Sequence, residues 1–112
     1  MLTKDLELPD FRDFALDVPV PGATSGQATK VMGGFLAETM RLNLDTRDFR
    51  VFGPDETVSN RLDAVLEVTP RTWYAQMVPG DDRLAPDGRV MEILSEQTIE
   101  GWLEGYLLTG RH

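Results

Sequence analysis

The sequence F-R-V-F-G-P-D-E-T-V-S-N-R, residues 49–61, decides the fold of this chain. The largely apolar residues 49–52 predict a short strand, and Gly53 with Pro54 ends it. Apolar residues then return with the i, i+4, i+7, i+8 spacing of a helix that is buried on one side: Val58, Leu62, Val65 and Leu66. The stretch therefore predicts a strand, a sharp turn and a helix that runs to about residue 67.

Polar side chains gather where this strand ends and the predicted helix begins. Asp55 is placed to cap the helix, and Glu56 follows it directly. Ligands of α/β sheets bind at this kind of junction, where helix N–H groups receive anions. The acid pair is therefore either a helix cap or part of a chemical site. Ser59 and Arg61 could hold a phosphate, although a salt bridge from Arg61 to a nearby acid is the structural alternative.

A second strand and helix repeat this arrangement. Residues 89–94 predict a strand, Ser95 caps a helix over residues 96–109, and Gly110 ends it. Glu96 then occupies the same structural place as the earlier acid pair. If the two strands are adjacent and parallel, three carboxylates meet at one sheet edge. Glu96 also begins a row of acids at i, i+4, i+8, for which a solvated acidic face is the simpler interpretation: Glu96, Glu100 and Glu104.

The remaining segments complete an α/β layout. Residues 1–26 predict an extended arm, because each residue before a proline is forced out of the helical region. Residues 27–43 have helical periodicity, so Gly33-Gly34 means either that the helix begins later or that another backbone packs closely there. Thr69-Pro70 predicts the start of a short helix. Strands that alternate with helices predict a parallel sheet.

The predicted fold class is α/β, with an incomplete parallel sheet and an extended N-terminal arm. Two strands are too few for a stable sheet, and each strand would expose an edge. We therefore expect residues 27–112 to be the first part of an α/β domain and residues 1–26 to be an extended arm.

Composition excludes several classes of function. The 112 residues carry a net charge of −8, which argues against non-specific binding to nucleic acid or to an anionic membrane. There is no cysteine, and His112 is the only histidine, so thiolate sites, histidine metal clusters and a Ser-His-Asp triad cannot be built within the chain. No apolar run resembles a signal peptide or a transmembrane helix, and a cytoplasmic location is expected.

Three motifs resemble the xylulose-5-phosphate/fructose-6-phosphate phosphoketolases. They are G-P-D-E-T-V-S-N-R-L at residues 53–62, L-A-P-D-G-R-V-M-E at 84–92, and L-S-E-Q…E-G-W-L-E-G-Y-L-L-T-G-R-H at 94–112. L-P-D-F-R-D-F-A at residues 8–15 and V-P-V-P-G at 18–22 also resemble the family's interdomain segment. The resemblance implies that residues 1–26 are an interdomain linker and that residues 27–112 are the start of a pyrimidine-binding domain. It also implies an enzyme that uses thiamine diphosphate and Mg²⁺. Such an enzyme cleaves a ketose phosphate with inorganic phosphate to acetyl phosphate and a shortened aldose phosphate.

The resemblance also implies roles for five residues. Glu96 matches the glutamate that hydrogen-bonds N1′ of the cofactor's aminopyrimidine ring and activates the cofactor. Glu56 matches a second acid near the cofactor, and Asp55 is its neighbour. Ser59 and Arg61 match residues that bind the substrate phosphate.

Some features of the family pattern differ or are absent. Gln97 stands where the family often has histidine, and Val58 where it often has alanine. The domain that binds the diphosphate and the metal lies outside this chain, as do the histidines that transfer protons. We therefore expect the chain alone to be inactive and its parent enzyme to be a homodimer or higher oligomer. The alternative function is a non-enzymatic α/β interaction module, which would bind a partner through its arm and its open sheet edge.

Overall fold

The computed structural model of the chain describes residues 4–112. In chain order its elements are a 3₁₀ helix (Phe11–Phe14), α1 (Ala28–Leu42), β1 (Val51–Gly53), a second 3₁₀ helix (Asp63–Glu67), β2 (Arg71–Thr72), β3 (Val90–Glu92) and α2 (Glu96–Leu108). The three strands form one open parallel sheet in the order β1-β3-β2. The predicted α/β class with a small parallel sheet is therefore confirmed.

The two strands predicted from sequence lie side by side. β1 pairs in parallel with β3, and Val51 is opposite Val90 while Gly53 is opposite Glu92. β3 is the central strand, which explains why Val90 is fully buried. Because paired parallel strands end at the same edge of a sheet, the segments that follow β1 and β3 begin next to each other.

The sequence predicts a short helix where β2 lies, and that prediction is wrong. Residues Arg71–Thr72 are extended and pair with β3. The Arg71 N–H donates to the carbonyl of Arg83 (2.8 Å), and the Ala85 N–H donates to the carbonyl of Arg71 (3.0 Å). The Thr69 hydroxyl accepts the Arg89 N–H (3.0 Å) instead of capping a helix. Long-range pairing thus outweighs the local capping signal.

The helix predicted over residues 55–67 is also wrong in its first half. Residues 57–61 form a hydrogen-bonded turn instead, and only Asp63–Glu67 is helical, as a 3₁₀ helix. Asp55 has φ 65° and Arg61 has φ 61°, both left-handed conformations that a continuing helix cannot contain. Asp55 is therefore not the N-cap, and Leu62 occupies that position.

Helix α2 begins and ends where the sequence predicts. The Ser95 hydroxyl accepts the Thr98 N–H, which satisfies one of the free N–H groups of the first turn. After the helix, Gly110 has φ 81°, and its N–H donates to the carbonyl of Leu107 (2.9 Å). Glycine adopts this conformation without steric cost, so the helix stops there.

The core lies between α1 and the sheet. Its buried residues are Met40, Val65, Leu66 and Val90, and Phe49, Val51 and Val68 pack against it. α1 contributes Met40 because its apolar positions recur on one face. In the described part of the N-terminal arm, the Phe14 ring packs edge-on against Phe35 of α1, with 5.4 Å between the ring centroids.

Gly33 allows α1 to approach the turn that follows β1. A β-carbon at this position would lie 2.9 Å from the Arg61 carbonyl oxygen and 3.1 Å from Leu62 Cα. The helix runs through both glycines, so the second sequence interpretation, a closely packed backbone, is confirmed. Gly34 differs, because its β-carbon would meet only the Phe14 ring, at 3.7 Å.

We expect Gly33→Ala and Gly34→Ala to change stability in opposite directions. The first forces the Arg61 backbone to move and should lower the free energy of unfolding by about 1–3 kcal/mol. The second gains helix propensity and should raise the free energy of unfolding by up to about 1 kcal/mol. Urea titrations of the two variants and the parent chain measure this difference. Equal midpoints for the two variants would contradict the close approach.

Candidate functional site

The candidate site lies at the edge of the sheet where β1 and β3 end. The Ile93 N–H donates to the Gly53 carbonyl (3.2 Å), which fixes the two chain exits beside each other. β1 continues into Asp55 and Glu56, and β3 continues through Ser95 into Glu96 at the start of α2. The two sequence-predicted acidic turns thus leave neighbouring strands at one edge.

Two backbone hydrogen bonds close the turn after β1. The Leu62 N–H donates to the Thr57 carbonyl and the Arg61 N–H to the Val58 carbonyl, both at 2.9 Å. This pair of bonds, with a left-handed residue at the position of Arg61, is the Schellman arrangement that normally uses glycine. A non-glycine residue held in this region is strained, and such strain is typical of functional sites.

Side chains within the turn are also positioned. The Asn60 amide donates to a carboxylate oxygen of Glu56 (3.1 Å), which orients that carboxylate. The Ser59 hydroxyl donates to the Glu56 carbonyl oxygen (3.0 Å). The guanidinium of Arg61 is exposed and forms no ion pair with any residue from 4 to 112. The salt bridge considered as its structural alternative is therefore not found in the described part of the chain.

A buried ionic network that the sequence reasoning missed joins the three strands. The carboxylate of Glu92, on β3, is 1% exposed. It accepts hydrogen bonds from the Thr57 hydroxyl (2.5 Å) and from Arg71 Nη1 on β2 (3.1 Å). Arg71 Nη1 also lies 3.8 Å from the carboxylate of Asp55. The network thus links β3 and β2 to the turn after β1.

One sequence signal for this network was present. Glu92 stands two residues after Val90 in a strand, and residues at i and i+2 share a face. A charged residue on the buried face of a central strand requires a partner. The sequence does not say which arginine supplies that partner, because Arg71 comes from a segment that was predicted to be helical.

A mainly apolar cavity of about 360 Å³ opens beside the network. Its lining residues are Asp55, Trp73, Tyr74, Ala75, Glu92, Ile93 and Leu94. The indole N–H of Trp73 is buried and has no hydrogen-bond partner among the described residues. Of the five site residues predicted from sequence, only Asp55 lines this cavity; Glu56, Ser59, Arg61 and Glu96 do not.

The acidic row on α2 faces solvent. Glu96, Glu100 and Glu104 are all exposed, as the simpler interpretation expected. Among residues 4–112, no group of three or more Asp, Glu, His or Cys side chains is placed to hold a metal ion. Within the same residues, no helix combines the length and the apolar character that crossing a membrane requires.

Comparisons with known proteins agree on one family. A model of the D-xylulose 5-phosphate/D-fructose 6-phosphate phosphoketolase family matches residues 30–112. The chain is 63% identical over all 112 residues to a probable phosphoketolase 2 from Nostoc sp. and to a probable phosphoketolase from Nitrosospira multiformis. A probable phosphoketolase from Brucella abortus is 57% identical over the same length. The chain spans about 14% of the length of each of these curated relatives.

Proposed function

The chain belongs to the D-xylulose 5-phosphate/D-fructose 6-phosphate phosphoketolase family, and from this premise we propose that it supplies one wall of a phosphoketolase active site. The reaction is cleavage of xylulose 5-phosphate or fructose 6-phosphate by inorganic phosphate, which gives acetyl phosphate, a shortened aldose phosphate and water. The enzyme is an aldehyde-lyase of cytoplasmic carbohydrate metabolism, works as a homodimer or higher oligomer, and binds neither nucleic acid nor membrane. Residues 1–26 act as the linker and residues 27–112 as the start of the pyrimidine-binding domain.

One observation carries this proposal: two acidic turns leave adjacent parallel strands at the same sheet edge. The register of Gly53 opposite Glu92 places the turns beside each other. The first turn contains Arg61 in a strained left-handed conformation, and the second turn begins a capped helix at Glu96. Ligands of parallel α/β sheets bind outside this edge.

The residues in these turns have different proposed roles. Glu96 holds a proton at N1′ of the cofactor's pyrimidine ring, and Glu56 is a second acid near the cofactor, oriented by Asn60. Asp55 contributes to the cofactor pocket that it lines. Ser59 and Arg61 bind the substrate phosphate, for which a guanidinium without an ion-pair partner among residues 4–112 is well suited.

The cavity at this edge has walls that would suit a ring of thiamine diphosphate, although Glu56 and Glu96 are not among the residues that line it. Its walls include Trp73, Tyr74, Ile93 and Leu94, and apolar aromatic walls suit a flat heteroaromatic ring. When bound, thiamine diphosphate would supply the carbon nucleophile of the reaction. On this proposal, residues outside this chain would hold the diphosphate and its Mg²⁺.

A segment exchange tests the proposed function. Residues 1–112 replace the matching segment of the Nostoc relative, and release of acetyl phosphate from fructose 6-phosphate and xylulose 5-phosphate is measured. We expect the chimera to be active with phosphate, thiamine diphosphate and Mg²⁺, and the 112-residue chain alone to be inactive. A folded but inactive chimera, or an active isolated chain, would contradict the proposal.

The second candidate function is the interaction module. The open three-stranded sheet favours it, because an uncovered edge strand can pair with another chain. This function predicts that the isolated chain captures a protein partner in the absence of thiamine diphosphate and that the chimera is inactive. The segment exchange therefore separates the two candidates.

A further inference from the structure

A second group of charged residues lies at the opposite edge of the sheet. Arg50 directly precedes β1, and Arg89 directly precedes β3, next to the paired residues Val51 and Val90. After α2 the chain returns to this edge: the Arg50 N–H donates to the His112 carbonyl (2.9 Å), and the His112 N–H donates to the Asp48 carbonyl (2.7 Å). Arg111 therefore joins the two other arginines at the edge where the strands begin.

These arginines surround the ring of Tyr106. The guanidinium carbons of Arg50 and Arg111 lie 5.7 and 5.6 Å from the ring centroid. Nη2 of Arg89 donates to the Tyr106 hydroxyl at 2.7 Å. With Arg47, which borders the same cavity, they form what we call the arginine cluster: Arg47, Arg50, Arg89 and Arg111.

Three of the four arginines in the cluster have no carboxylate partner among the described residues, although the chain as a whole carries a net charge of −8. Arg47 pairs with Asp87 at 3.3 Å, but Arg50, Arg89 and Arg111 form no ion pair within residues 4–112. Burial, and then the charge of Arg89, lowers the pKa of the Arg50 guanidinium. Like charges that are partly removed from water repel one another, and a bound anion relieves that repulsion.

Hydrogen-bonding capacity is also unused in the cluster. Nε of Arg50 is buried and has no partner among the described residues. Arg89 donates from Nε and Nη2 to the carbonyls of Phe49 and Arg47 and to Tyr106, and these bonds do not use its Nη1. The cavity between the arginines has a volume of about 430 Å³ and is lined mainly by polar groups. Its lining adds only Thr46 and Tyr106 to the arginine cluster.

We propose that the arginine cluster is a binding site for a free phosphate-class anion, such as inorganic phosphate, pyrophosphate or the phosphate group of a small metabolite. The four arginines of the cluster come from three separate segments and line one cavity. A tetrahedral phosphate offers oxygens in several directions to such a set, whereas a planar carboxylate offers only two. The inference does not depend on the proposed phosphoketolase function, because the cluster lies at the other edge of the sheet.

Calorimetric titration of the 112-residue chain with pyrophosphate and with inorganic phosphate, at constant ionic strength, tests this site. We expect one pyrophosphate per chain and weaker binding of inorganic phosphate. Losing one charge-assisted hydrogen bond should weaken pyrophosphate binding by about tenfold in Arg50→Gln and again in Arg111→Gln. Arg111 is exposed, so its variant reports on binding without a folding defect. Arg83→Gln is the matched control, because Arg83 is an arginine paired with Glu67 away from the cavity.

Several results would overturn the inference. They are absence of binding by both anions, equal affinities in the parent chain and in both cluster variants, and loss of binding in Arg83→Gln. Loss of binding in Arg61→Gln with full binding in Arg50→Gln would place the anion at the other edge and refute the cluster. Cluster-dependent binding of a hexaglutamate peptide, with no binding of either phosphate probe, would assign the cavity to an acidic protein segment instead.

Discussion

Glu96→Gln is expected to lower the turnover of the active chimera at least about a hundredfold, which corresponds to about 2.7 kcal/mol of transition-state stabilisation. The carboxyl group of Glu96 is proposed to hold a proton at a ring nitrogen of the cofactor. A glutamine side chain keeps nearly the same shape and still forms a hydrogen bond, but it cannot take or give up that proton. The measurement is the steady-state rate of acetyl phosphate release at saturating thiamine diphosphate.

Glu100→Gln is the matched control for this prediction. Glu100 lies one turn further along α2, is exposed like Glu96, and belongs to the same acidic row. Its loss should leave the rate within about twofold of the parent chimera, since an exposed charge has little effect on its surroundings. A normal rate in Glu96→Gln, or equal losses in the two variants, would refute the role of Glu96.

Glu92→Ala is expected to lower the free energy of unfolding by about 3–5 kcal/mol, because it leaves the partly buried Arg71 without its closest carboxylate. The Glu92 side chain is almost completely buried and accepts hydrogen bonds from two separate segments. Its removal also leaves the Thr57 hydroxyl without its acceptor. Urea unfolding followed by tryptophan fluorescence measures the change.

Two further variants calibrate this result. Glu92→Gln preserves the shape of the side chain and some of its hydrogen bonds. Its free energy of unfolding should therefore fall by less, roughly 1–3 kcal/mol. Glu67→Ala removes an exposed carboxylate that pairs with Arg83 and should cost less than about 1 kcal/mol. If Glu92→Ala does not fold, the intermediate loss in Glu92→Gln still tests the network. If the urea midpoints of both Glu92 variants equal that of Glu67→Ala, the network contributes nothing to the stability of the fold.

The network also links fold stability to the candidate site. Thr57 belongs to the turn that carries Glu56 and Arg61, and Arg71 lies 3.8 Å from Asp55. Arg71, only 18% exposed, therefore holds the strand ends and the turn in one arrangement. A catalytic arrangement requires such support, because side chains on a mobile turn lose their orientation.

Local sequence signals predicted the elements whose stability is local. The apolar repeats of α1 and α2, the Ser95 cap and the stop at Gly110 depend on residues within one or two turns, so they could be predicted from the sequence. The neighbouring parallel strands followed from the alternation of strands and helices. The motifs at residues 53–62, 84–92 and 94–112 also led to the phosphoketolase family without any structure.

Only the tertiary structure decided the features that depend on distant residues. Arg71–Thr72 is a strand because β3 offers it a partner, and the helix after β1 breaks because Asp55 and Arg61 take left-handed conformations. The buried Glu92 network and the arginine cluster each join segments far apart in the chain, and no spacing in the sequence encodes such contacts. The sequence by itself determined the family, the two long helices and the edge of the sheet where the acids gather. The partners of the buried charges depended on the packing, because a charge leaves water only where the folded chain supplies a counter-charge or a hydrogen bond.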